Sequence, residues 1–372
     1  MSKKRKIALL LYRYFPYGGL QKDFLQIALE LLSRNLEIKV FVRDWEGYRP
    51  KELAISELQT KRFSNHGKNI DYFNKVSFAL RDFKPHLKFG FNKMPGLDIY
   101  LAADTCFKFQ ARNKGFFYKF LPRYKASIAY EEAVFGERSN TRVLLLNKKQ
   151  KKEFLNEYKT NEEKLTLIPP GLSPDWKKSD NKQDLRNSLG LQRSDTIVLF
   201  VGSDFKRKGL DRAIKALAHL SKTRLKQTYL VIAGSDNPQL YSNLATRLSI
   251  KEKVIFLGPR EDIKELMKCS DILIHPAREE AAGNVIIEAM VSELPILTCK
   301  EVGFADYVIE HKAGIVVPTP YNQNDLNKEL EKLLQNEKTL SYKNNLLGVG
   351  ENDYFFSRFK FVGDFVERRL NV

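Results

Sequence analysis

Hydrophobic positions along the chain fall into short continuous runs, separated by longer segments whose apolar residues recur every three to four positions. Residues 7–11, 37–42, 87–91, 99–103, 142–146 and 165–168 are such runs and read as strands. Short runs with apolar residues at successive positions suit strands covered on both faces, as in a parallel sheet. Between them, residues 20–34 and 72–83 carry helical periodicity. Pro169-Pro170-Gly171 then breaks the pattern, since neither Pro nor Gly continues a helix or central strand easily. The alternation restarts more cleanly, with strands expected at 196–201, 229–233, 254–257, 272–274, 296–298 and 315–317. Helices are expected at 210–220, 239–248, 263–269, 285–292 and 325–334, and the aromatic-rich 354–369 reads as a last helix. Repeated β–α alternation predicts an α/β protein of two Rossmann-like domains with parallel sheets. The first would span residues 1–170, joined by the C-terminal 354–372, and the second 171–353. Such domains would face each other across a cleft, with ligands beyond the carboxyl ends of the strands.

Composition agrees with two cores and adds a charge problem. With 372 residues, 43% of them hydrophobic, the chain has enough apolar surface for two domains. No apolar run approaches the roughly 20 residues of a membrane span. The start is basic, but the apolar run after it is too short for a signal peptide, so a cytoplasmic protein is expected. Cys106, Cys269 and Cys299 show no paired spacing and read as buried thiols. The formal charge of +18 calls for an anionic partner: nucleic acid, an acidic membrane surface or a phosphorylated substrate.

Three places carry candidate chemistry. The first is the turn Ala281-Ala282-Gly283, which leads from the strand at 272–274 into the helix that begins at Asn284 and Val285. Small residues let a ligand approach the backbone, and a helix start aims N–H groups and a positive dipole end at an anion such as a diphosphate. Glu280 and Glu288 flank this turn. Glu288 is placed to accept from ribose hydroxyls and Glu280 to meet a sugar, although Glu280 would also serve as a helix cap. The second place is Gly202-Ser203-Asp204-Phe205-Lys206-Arg207-Lys208-Gly209, just past a strand. Arg207 and Lys208 there would stabilise charge developing on a departing phosphate. The third is Gly18-Gly19 with Asp23, after the first strand. It is no complete dinucleotide fingerprint, but the glycine pair would let a phosphate or sugar approach. Asp23 either faces that cleft or is an ordinary carboxylate near a helix start. His66 and His275 read as structural. No Asp-x-Asp occurs, so no metal is expected, cations taking its place.

Residues 107–125 mix Lys108, Arg112, Lys114, Lys119, Arg123 and Lys125 with Phe107, Phe109, Phe116, Phe117, Tyr118, Phe120 and Tyr124, and hold no acid. Rings at headgroup level with cations on anionic lipid describe a membrane-surface segment. Single-stranded nucleic acid would use the same residue types, but the rest of the chain contains no nucleic-acid module.

Taken together, these motifs resemble the family-four retaining glycosyltransferases of the GT-B fold. The marks are Gly18-Gly19, Gly202 with Arg207-Lys208, and Glu280 and Glu288 followed by Gly303 and Gly314. Residues 14–21, Asn65-His66-Gly67, residues 90–98 and Glu280-Ala281-Ala282-Gly283 are similar to the subgroup that glucosylates the lipopolysaccharide inner core. The resemblance implies UDP-glucose as donor, a phosphorylated heptosyl lipid A core as acceptor, and attachment to the cytoplasmic face of the inner membrane. It places Asp104 where the family's acceptor-side histidine would be. Asp104, Glu280, Arg207 and Lys208 are then the expected catalytic set. Gly18, Gly19, Asp23, Gly202, Ala282, Gly283, Asn284, Val285 and Glu288 are expected to bind the donor with them. The alternatives are a non-catalytic binder of anionic surfaces and a NAD-dependent enzyme; stabilisation by RNA and not by UDP would favour the binder.

Overall fold

The computed structural model describes residues 4–16, 18–112, 114–177 and 185–371. Tyr17 and Asn113, inside two of the segments above, lie outside it, as do Met1 to Lys3 of the basic start. The chain divides into two compact units: Met1–Gly171 with Ser357–Val372, and Leu172–Phe356.

The first unit holds strands β1 (Lys6–Tyr14), β2 (Glu37–Trp45), β3 (Ala54–Glu57), β4 (Leu87–Gly90), β5 (Ile99–Ala102), β6 (Arg142–Leu145) and β7 (Leu165–Leu167). They form one parallel sheet in the order β3-β2-β1-β4-β5-β6-β7. The second unit holds β8 (Thr196–Val201), β9 (Thr228–Ala233), β10 (Val254–Gly258), β11 (Ile272–His275), β12 (Ile296–Cys299) and β13 (Gly314–Val317). Its parallel sheet runs β10-β9-β8-β11-β12-β13. Both orders are doubly wound, reversing between β1 and β4 and between β8 and β11. Side chains following those strands are therefore the ones the topology offers to a ligand.

The central strands are apolar because both faces are covered: residues 7–11 of β1 are all buried, as are residues 197–200 of β8. The helix Gly19–Ser33 buries Gln21, Asp23, Phe24, Ile27, Ala28 and Leu31, a stripe at helical spacing. The helix Arg358–Leu370 packs on it through Phe359, Val362, Gly363 and Val366. Gly363 leaves room for Arg34, whose guanidinium a Cβ there would meet at 2.4 Å. Arg34 in turn pairs with Glu30, Asp364 and Glu367.

Three features differ from expectation. The segment 354–369 is not one helix: a 3-10 turn at Asp353–Phe356 ends the second unit, and the helix starts afresh at Arg358. The short edge strand β3 and the helices Pro122–Phe135 and Lys148–Glu157 carry too little apolar periodicity to stand out. Residues 107–125 form a short helix (Phe107–Ala111), a 3-10 turn (Phe116–Phe120) and the start of a longer helix at Pro122. Phe107, Tyr118 and Tyr124 pack on one another at 5.8–6.5 Å and are half-buried. Phe116, Phe117 and Phe120 stay exposed.

Candidate active site

Two loops meet beyond the carboxyl ends of β8 and β11. The first leaves β8 through Gly202, at φ 143°, beside which the stem of Lys208 runs. Asp204, left-handed at φ 60°, caps the four-residue helix Phe205–Lys208 by accepting from the Arg207 N–H. Asp236 accepts from the Phe205 N–H at 2.9 Å. Gly209, at φ 78°, has the carbonyl of Pro276 2.1 Å from where a Cβ would stand, so no other residue fits there without displacing the second loop.

That second loop follows β11 and is tied to the first at several points. The N–H of Arg278 donates to the Arg207 carbonyl at 2.8 Å, and its guanidinium makes a two-pronged contact with Asp211. Arg212 donates to the carbonyl of Pro276 at 3.1 Å. Glu280 forms a parallel bridge with Val302, and the carbonyls of Glu280 and Ala282 accept from the N–H groups of Gly303 and Phe304.

These ties bring Arg207, Lys208 and Glu280 together from positions over seventy residues apart in sequence. Both cations address one oxygen: Lys208 Nζ donates to Glu280 Oε2, and Arg207 Nη1 reaches the same atom at 3.2 Å. Arg207 also donates to Asp204 Oδ2 at 2.9 Å and to the Glu279 carbonyl at 3.2 Å. Burial alone would push the Glu280 carboxyl up. His275, Lys208 and Arg207 outweigh it and hold the group well below the usual carboxylate range. Glu280 is therefore an anion at neutral pH, and it does not cap the helix that follows.

Gly283 precedes the helix Asn284–Val291, which has no side-chain cap. Its glycine has a packing reason: at φ 89° a Cβ would lie 2.6 Å from Val302 Cγ1 and 3.5 Å from Glu280 Cγ. The open backbone expected at 281–283 is thus partly filled by Val302, and the helix start sits against Glu280. The first N–H groups of that helix, at Asn284 and Val285, lack intrahelical acceptors, as at every helix start. Glu288 lies one turn further on and is half-buried.

The other expected residues belong to the first unit. Gly19 has nothing within 4 Å of a Cβ, whereas Gly18 is crowded by the Gln21 side chain, so only Gly19 offers open backbone. Asp104 is exposed just past β5, and its carbonyl accepts from Gln150 at 2.7 Å. Asp23 is a correction. It does not face a ligand space but lies buried on the inner stripe of its helix, accepting from Arg358 Nη1 at 2.5 Å. Burial pushes its carboxyl up, against the pull of Arg358.

Sequence reasoning missed Asp204, which orients Arg207, and the Arg278–Asp211 and Arg212 ties that hold the two loops together. It also left His275 as a structural residue. His275 ends β11, is fully buried, and lies 3.9 Å from Glu280 Oε2, with no hydrogen-bond partner for either ring nitrogen among the described residues. Among those residues no group of three or more His, Cys, Asp or Glu is placed to hold a metal ion. No described helix is long and apolar enough to cross a membrane.

Residues 181–345 match the family of glycosyl transferases group 1. The lipopolysaccharide glucosyltransferase WaaG of Escherichia coli is 39% identical over 333 residues, 88% of this chain and 89% of that one. A crystal structure of WaaG, a glycosyltransferase involved in lipopolysaccharide biosynthesis, superposes with a TM-score of 0.92 at 36% identity, covering 96% of this chain and 99% of that one. HepE of Anabaena, solved with UDP-glucose, superposes at 0.74 with 18% identity, covering 98% and 99%; at that distance only the fold is shared.

Proposed function

The chain belongs to the group 1 glycosyl transferases, with the two-Rossmann GT-B fold, and from that premise we propose that it moves glucose from UDP-glucose to a heptose of a phosphorylated lipopolysaccharide inner core. The observation that carries this reading is the single oxygen of Glu280 held by Lys208 and Arg207 beside an uncapped helix start. Two cations and a helix dipole converging on one place suit the diphosphate of a sugar nucleotide. The similarity to the Escherichia coli enzyme supports glucose as the sugar and the lipopolysaccharide core as acceptor.

In this reading the diphosphate lies against Asn284 and Val285, and Glu288 accepts from the ribose. Lys208 and Arg207 turn from Glu280 to the β-phosphate. The bond from the anomeric carbon to the β-phosphate oxygen breaks, and the cations stabilise the charge left on UDP. The acceptor oxygen attacks from the same face, and its proton passes to the departing phosphate oxygen, so configuration is retained. Asp104 faces the acceptor hydroxyl. The cation pair supplies the positive charge that a metal would bring, so the reaction is metal-independent.

Exposed Phe116, Phe117, Phe120 and Leu121, among exposed Arg112, Lys119 and Arg123, support docking on an anionic bilayer, which in this reading is the cytoplasmic face of the inner membrane. The test is incubation with UDP-glucose, UDP-galactose or a GDP-sugar, with heptosyl core lipid and a metal chelator, reading products by mass and the new linkage by NMR. An α-linked hexose from UDP-glucose alone is expected. Transfer from another donor, a β-linkage or dependence on metal would each strike out the corresponding part.

A further inference from the structure

His275 is completely buried, and neither ring nitrogen has a hydrogen-bond partner among the described residues. Folded proteins rarely leave buried polar groups unpaired, because the lost bonds to water are not replaced. A group left in this condition points to a second state in which its bond is made. The geometry identifies that state. His275 Nε2 lies 3.9 Å from Glu280 Oε2, roughly 1 Å beyond hydrogen-bond length. That oxygen is the one Lys208 and Arg207 hold.

A diphosphate arriving at Lys208 and Arg207 competes directly with Glu280 for both cations. The carboxylate, only 13% exposed as a side chain, would then be short of donors at the moment it has to address the sugar. We propose that His275 is a positioning residue: when the donor's diphosphate draws Lys208 and Arg207 away, Nε2–H closes onto Glu280 Oε2 and keeps the carboxylate aimed at the sugar. The proposal rests on the donor reading given above.

The parts required are present. Burial, with Lys208 and Arg207 pushing the same way and Glu280 opposing, holds the imidazole below its ordinary value. It is therefore neutral near pH 7 and donates from one nitrogen without adding charge. The backbone of Glu280 is pinned, its carbonyl accepting from Gly303 at 3.0 Å, so the side chain alone makes the move. A neutral histidine suits this better than a third cation, which the diphosphate would also draw away from the carboxylate.

The test compares wild-type protein with His275→Leu, which fills the space without a donor, and His275→Gln, whose amide N–H extends to about the reach of Nε2. UDP affinity is measured by calorimetry, and kcat and KM are measured with UDP-glucose and core lipid. UDP affinity is expected to fall by up to about 10-fold in H275L, because the bond it removes is one that UDP binding forms, and to recover in H275Q. In H275L, kcat/KM for UDP-glucose should fall by about 10-fold, the size of one net hydrogen bond; H275Q should recover most of it. Wild-type kcat/KM in H275L overturns the role, and so does H275Q no better than H275L. If the wild-type protein takes up no UDP, the donor reading falls and this inference falls with it. Should H275L fail to fold, wild-type protein labelled at histidine nitrogen decides: the Nε2–H resonance of His275 should move downfield on saturation with UDP, and an unmoved resonance overturns the proposal.

Discussion

Replacing Asp23 separates a structural carboxylate from a ligand-binding one. Its partner Arg358 is wholly buried, donating to Asp23 at 2.5 Å and to the Pro169 carbonyl at 3.0 Å, with Nη2 unpaired among the described residues. One guanidinium thus ties the helix Gly19–Ser33, the Pro-Pro-Gly segment and the C-terminal helix together within the first unit. Asp23→Ala leaves that cation buried with a single carbonyl partner. Breaking a buried pair from one side costs about 3–5 kcal/mol, and at about 2–4 °C per kcal/mol for a unit of this size the melting point should fall by roughly 6–20 °C. Asp23→Leu with Arg358→Met removes both charges and refills the space apolarly. It should recover most of the loss, since such exchanges are often neutral or stabilising.

The chain contains two tryptophans, and they make the assay unit-specific. Trp45 stacks on Tyr14 at 3.9 Å in the first unit, whereas Trp176 lies in the second. In a Trp176→Phe background, urea unfolding followed by Trp45 fluorescence reports the first unit alone. The midpoint should drop in D23A and return in the double variant, with UDP affinity unchanged throughout. A D23A protein of wild-type stability that has lost donor binding would refute the structural assignment and restore the ligand-facing one.

Lys208→Ala should lower kcat by on the order of 100-fold, the scale for losing one preorganised charge-stabilising group; full turnover would remove Lys208 from the leaving-group role. Acid should loosen the second unit in two stages. His275 has a folded value below its ordinary 6.5 and Glu280 one below 4.5, so the unfolded chain takes up protons that the folded one refuses. Stability is then full above about pH 6.5, falls below it through His275, and falls again below about pH 4.5 through Glu280, by at most about 1.4 kcal/mol per pH unit for each group. Urea midpoints read from Trp176 in a Trp45→Phe background check this; H275Q should lack the first stage, and a flat wild-type profile between pH 6.5 and 5 refutes it. Phe117→Ser, at a side chain 84% exposed, should weaken binding to vesicles containing anionic lipid by roughly 10-fold or more, given about 1.5–3 kcal/mol for burying a Phe. Unchanged vesicle binding would remove this segment from the docking surface.

The strands were legible because a parallel sheet buries both faces, so β1 and β8 advertise themselves as unbroken apolar runs. β3, reading Ala-Ile-Ser-Glu at the sheet edge, buries too little to do so, and the helix Lys148–Glu157 is polar apart from Phe154 and Leu155. Arg207, Lys208 and Glu280 were legible for a topological reason: they follow β8 and β11, the pair of strands at which the sheet order reverses. Charge pairing was not legible, because a sequence does not show which distant partner a charge will take. A local sign did exist for Asp23. It stands four residues before Ile27 on an apolar stripe, as Arg358 stands four before Val362, and a charge on a buried stripe demands an opposite charge somewhere.

Asp23 and Glu280, two carboxylates largely shielded from solvent, differ in what their cations can do next. Arg358 is inaccessible, so its pair with Asp23 is closed to any ligand and can serve only to hold helices together. Arg207 keeps 41% of its side chain in solvent, and it shares a single Glu280 oxygen with Lys208 while a histidine with no hydrogen-bond partner among the described residues waits 3.9 Å off. An anion can therefore reach Arg207 without unfolding anything, and Glu280 has a replacement partner when it does. Accessibility of the cation, more than burial of the acid, decides which of two similar ion pairs is a fastening and which is a site.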